Sequence, residues 1–135
     1  MPLNRFVEAQ SPVYGRALAE LQAGQKQSHW MWFVFPQIAG LGSSPMAQRY
    51  AIASLDEAKD YLAHPMLGRR LVECTEAVLG HPGKSVHAIF GSPDDMKFHS
   101  SMTLFHRADP SDETFGRALD VFFDGKEDEA TLTRI

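Results

Sequence analysis

The chain has one cysteine, Cys74, in 135 residues. No internal disulfide can form, and a lone thiol fits a reducing, cytoplasmic setting. Long apolar runs are missing too. WMWFVF is six residues long, against the roughly 18 that a membrane-crossing helix needs. There is no excess of positive charge, with 13 Lys and Arg against 17 Asp and Glu and a formal net charge of −4. Arg69-Arg70 is the one adjacent basic pair, which argues against unspecific binding of nucleic-acid phosphates. The opening MPLNRFVEAQ interrupts its apolar pattern with Arg5 and Glu8, unlike a secretory signal. No linker, low-complexity tract or internal repeat divides the sequence. Length and a 44% apolar content therefore suit one globular domain over residues 1–135.

Convincing alternating strands are also absent, while helix punctuation is dense, so the expected class is all-α with about six to eight short helices. Ser11-Pro12, Ser44-Pro45 and Ser92-Pro93 each read as a capping serine followed by proline at the first helical position. Ser54 with Glu57 forms a capping box, and Ser85 and Asp128 are further caps. Pro65 is positioned to open a helix, and Gly24, Gly80, Gly91 and Gly125 to stop helices. Leu67, Leu71, Cys74 and Val78 recur at helical spacing, as do Phe115, Leu119, Phe122 and Phe123. Cys74 thus reads as a small buried hydrophobe rather than a reactive thiol.

What the chain does have is a concentration of aromatics. HWMWFVF, residues 29–35, holds both tryptophans and two of nine phenylalanines. Side chains of this size bury the largest areas, so the fold must organise around them. The run suits a short buried helix or a buried strand. The helix is favoured because no partner strand of similar quality exists, and Pro36 ends the run in either case.

Two segments place polar groups inside sequence too apolar to lie on a surface: Lys26 to Ser44 and Gly91 to Phe105. Burying polar groups is costly without partners, so these positions need a reason. In the functional reading, Trp30 or Trp32 stacks on a planar ring, with His29 and Gln37 supplying hydrogen bonds. Gly42 and Ser44 belong to a GLGSS loop whose backbone N–H groups face an anion. Asp95, or Asp94 beside it, serves as acid or base, His29 is a second catalytic candidate, and Lys26 and Lys97 contribute positive charge. The competing reading makes the aromatics core, GLGSSP a turn plus cap, and the Asp pair a stabiliser of a helix N-terminus.

Other chemistries find little support. The six histidines form no His-Glu-x-x-His motif, so no metal is expected. There is no Gly-x-Ser-x-Gly elbow, and Gly-x-Gly lacks the third glycine and preceding strand of a dinucleotide fingerprint. No cofactor is implied. Ser100 and Ser101 fit close helix packing, and Phe98, Met102 and Phe105 a core stripe.

SHWMWFVFPQIAGLGSSPMAQRYAI, YLAHPMLGRRL and FGSPDDMKFHSSMTLF together resemble the family of small bacterial proteins called domain of unknown function eighteen-ten, sometimes mislabelled calpastatin. The resemblance runs along nearly the whole chain and implies a mostly helical single domain. It brings no agreed activity and no catalytic residues. A looser likeness of composition and architecture is to helical N-glycosidases of the NADAR type that handle NAD or ADP-ribose. The leading expectation is a cytoplasmic helical protein that binds, and in one version hydrolyses, a nucleotide-like or other anionic small molecule. The alternative is a non-enzymatic protein-interaction module. The residues do not fix an oligomeric state.

Overall fold

In a computed structural model that describes residues 3–135, ten helices follow one another. They are α1 (Asn4–Gln10), α2 (Tyr14–Gln22), α3 (Met31–Val34), α4 (Pro45–Arg49), α5 (Leu55–Ala63), α6 (Leu67–Leu79), α7 (Val86–Phe90), α8 (Asp94–Ala108), α9 (Glu113–Phe123) and α10 (Glu129–Leu132). The class is all-α, as expected. The count exceeds six to eight because α3, α4, α7 and α10 are single turns of four or five residues. Among the described residues the only β pairing is an isolated parallel bridge between Ile38 and Ile52.

The long helix α8 is the centre of the molecule, packing against α5, α7, α9 and α10. Its Phe98, Met102 and Phe105 are fully buried, so the expected stripe is core. Phe98 stacks on Phe90 at 4.8 Å between centroids and meets Phe35 edge-on at 5.1 Å. HWMWFVF thereby joins the core through the short helix α3, whose Met31, Phe33 and Val34 are buried. Leu67, Leu71, Cys74 and Val78 line the inner face of α6 as their spacing predicts. Gly68 lies where α6 meets the end of α5, and a Cβ there would fall 2.1 Å from the Leu62 carbonyl oxygen. Only glycine lets those backbones approach so closely.

The three Ser-Pro signals have three different outcomes. Ser44 caps α4 by accepting from Ala47 N–H. Ser11 instead closes α1, its hydroxyl donating to the Val7 carbonyl, while α2 starts later, after Val13. Ser92 leads into a cis peptide bond to Pro93, and α8 has no side-chain cap. Ser54, Ser85 and Asp128 cap α5, α7 and α10 as expected. The Glu57 half of the capping box binds Ala53 N–H, one residue earlier than the motif places it. Pro65 does not open α6. That end is held by His64, whose Nδ1 accepts from Met66 and Leu67 N–H. Among the described residues no helix is long and apolar enough to cross a membrane.

Candidate functional site

The two polar segments do meet. The backbone of residues 37–39 is pinned by pairing with Ile52, whose N–H donates to the Gln37 carbonyl (2.8 Å) and whose carbonyl accepts from Ala39 N–H (2.8 Å). This fixed bridge leads into a turn at Gly40, whose φ of +98° favours glycine. Gly42 then packs against α4, where a Cβ would come 2.6 Å from the Ala47 Cβ. The turn faces the first two turns of α8.

The third wall comes from the C-terminal segment, strapped along α8 by three hydrogen bonds. His99 Nε2 lies 2.7 Å from the Lys126 carbonyl. Asp128 N–H donates to Thr103 Oγ1 at 2.9 Å, and Ser100 Oγ donates to Asp128 Oδ2 at 3.0 Å. A carbonyl oxygen only accepts, so His99 carries its proton on Nε2. The imidazole also stacks on Phe123, 4.0 Å between centroids and 10° from parallel. Its orientation is therefore doubly fixed.

Between these walls lies a cavity of about 310 Å³. Leu41, Pro93, Met96 and Ala130 give it apolar surface, while Gln37, Lys97, His99, Ser100 and Asp128 supply polar groups, with Gly42 at its side. Met96 is 68% exposed, an unbranched side chain at the boundary with a smaller hollow of about 100 Å³ that also contains Asp95. Lys97 is held over the Trp32 ring, 5.3 Å from its centroid. Its Nζ is 3.6 Å from Asp94 Oδ1, whereas Lys26 takes the other oxygen of Asp94 at 2.9 Å. Two ammonium groups thus share one carboxylate, and Lys97, the more distant, has its charge only partly balanced beside the cavity.

Of the residues singled out from sequence, Gln37, Gly42 and Lys97 border this cavity, and Trp32 supports one of them from behind. The remaining five occupy other places. Trp30 is 1% exposed and points its indole N–H at Glu20, 2.9 Å away. Lys26 lies nearly buried over Trp30, Ser44 is engaged as a cap, and His29 is exposed. Asp95 accepts from Met96 N–H and sits 3.3 Å from His87 Nδ1. Neither Asp95 nor His29, the two catalytic candidates, lines this cavity.

Glu20 is the anchor of this region. Its carboxylate accepts from Gln27 N–H, Ser28 N–H, Ser28 Oγ and Trp30 Nε1. Burial alone would raise its pKa, but these donors outweigh it and hold the group down at about 2. Met96, His99, Ser100 and Asp128 were missed as cavity residues. For Ser100 the signal was present, since it sits three positions after Lys97 on one helix, whereas His99, two positions on, shares no face with it by spacing. Asp128 carried no signal beyond that of a cap.

A family model described as a protein of unknown function, DUF1810, matches residues 1–135. The chain belongs to that family. Among solved structures it is similar to the crystal structure of the conserved hypothetical protein Rv1873 from Mycobacterium tuberculosis. The two share 54% identity over 97% of this chain and 94% of that one, with a TM-score of 0.95. No functionally curated protein shows significant similarity to it. The fold is thus shared with that solved structure, and the chemistry follows from the cavity.

Proposed function

We propose that this DUF1810 protein binds a small anionic, ring-bearing molecule of mononucleotide size between residues 37–42 and the start of α8. The observation that carries this reading is Lys97, an under-compensated ammonium held by Trp32 at the edge of a preformed cavity with apolar walls. Few polar groups converging on an apolar hollow is the usual character of a small-molecule site. A volume of about 310 Å³ is at the lower end of the roughly 300–1,000 Å³ of small-molecule sites, which suits one mononucleotide, whereas a whole dinucleotide would extend outside. The ligand is a soluble metabolite rather than nucleic acid, in keeping with the net negative charge of the chain. The buried free thiol Cys74 is consistent with a cytoplasmic location.

Thermal-shift and calorimetric titration with mononucleotides, ADP-ribose, sugar phosphates and inorganic phosphate tests the reading. A ligand at a hundred times its Kd adds about 2.7 kcal/mol of stability, and Lys97→Met should weaken binding at least tenfold. Failure of every mononucleotide and sugar phosphate to bind at millimolar concentration would overturn it in favour of a protein-interaction module.

A further inference from the structure

The cavity has a second pole that the reading above does not use. Asp128 caps α10 through one oxygen only. Ser100 Oγ, Thr131 N–H and Thr131 Oγ1 all donate to Oδ2, at 3.0, 3.2 and 2.6 Å. Oδ1 has no donor among the described residues, although Asp128 lines the cavity. A carboxylate oxygen retains acceptor capacity that only an N–H or O–H donor satisfies well. Lys97 and Ser100 are three residues apart, so they are neighbours on one face of α8. Ser100 holds Asp128, so the cavity has a carboxylate at one pole, while the Lys97 ammonium is drawn toward Asp94 and Trp32 at the other.

We infer that the ligand is amphoteric: it places an anionic group on Lys97 and an N–H donor, such as the amino group of an amino-substituted base, on Asp128 Oδ1. This rests on the proposed binding site and adds its selectivity. The apolar pair Leu41 and Met96 covers the ring between the two poles, and an unbranched, polarisable Met suits an aromatic face. A ligand with an anion but no donor displaces water from Oδ1 without replacing its hydrogen bond, which costs affinity.

The test is calorimetric titration of the full chain with AMP and with purine riboside 5′-monophosphate, which differs only in lacking the amino group. The wild type should bind AMP at least about tenfold more tightly, the worth of one hydrogen bond to a charged group. Asp128→Asn keeps a capping oxygen and turns the other position into a donor. Asparagine caps helices as well as aspartate, so its melting temperature should stay close to wild type while the preference for AMP disappears. Lys97→Met should weaken both ligands equally. Equal binding of both nucleotides by the wild type, still sensitive to Lys97→Met, would overturn the inference and leave the anion site standing. A preference for AMP that survives Asp128→Asn would also overturn it. No binding of either nucleotide by the wild type would remove the site itself.

Discussion

Replacing Glu20 with glutamine should destabilise the protein at neutral pH and far less in acid. The carboxylate collects four hydrogen bonds from Gln27, Ser28 and Trp30, and burial opposes them, yet the net effect lowers its pKa from 4.5 to about 2. A depression of that size is equivalent to about 3 kcal/mol at most. Solvent around a partly exposed carboxylate reduces this to about 2 kcal/mol. The folded-state pKa lies below the unfolded value, so this stability is fully present above about pH 4.5 and is lost as pH falls toward 2. Glutamine keeps one accepting oxygen but no charge. The Glu20→Gln protein should therefore melt about 8 °C below wild type at pH 7, and the gap should close between pH 4.5 and 2. Thermal melts of both proteins across that range measure it. A gap that stays constant down to pH 2.5, or is absent at pH 7, would refute the reasoning.

Four further outcomes are expected. Gly68→Ala should cost more than about 3 kcal/mol, because the added methyl meets a backbone oxygen that cannot rotate away; urea unfolding at neutral pH reads this. Gly42→Ala should cost about 1–3 kcal/mol, since its methyl meets the Ala47 methyl at 2.6 Å, and nucleotide affinity should fall with it. Burial pushes the Cys74 thiol up to about 12, so an aromatic disulfide reagent at pH 8 should modify it only after unfolding. His81 Nε2 lies 3.0 Å and 2.9 Å from the carbonyls of Leu21 and Gln22 at the end of α2. His81→Ala should cost about 1 kcal/mol, seen as a lowered urea midpoint.

The helical class, the position of α6 and the burial of α3 were legible because each depends on local pattern. Spacing at 3.6 residues and the absence of a partner strand suffice for those decisions. Caps were legible when the side chain reaches its own helix, as at Ser44, Ser54 and Ser85. They were misread when the partner lies behind or elsewhere: Ser11 turns back to Val7, and His64 accepts from the start of α6. The C-terminal end of α2 is held by His81 and Lys84 from about sixty residues away, and no local pattern encodes such a contact. The same holds at the cavity. That the two polar segments meet could be argued from their unusual polarity, but Trp30 and Lys26 found partners in Glu20 and Asp94 instead of facing the hollow. Asp128 reached it from the far end of the chain through tertiary packing alone.

The most direct measurement is a ¹⁵N-resolved NMR titration with AMP. The account predicts amide shifts concentrated at Gln37, Leu41, Gly42, Lys97, Ser100 and Ala130, all of them reduced in Lys97→Met. Shifts centred on α6 or α9, or none at millimolar AMP, would contradict it.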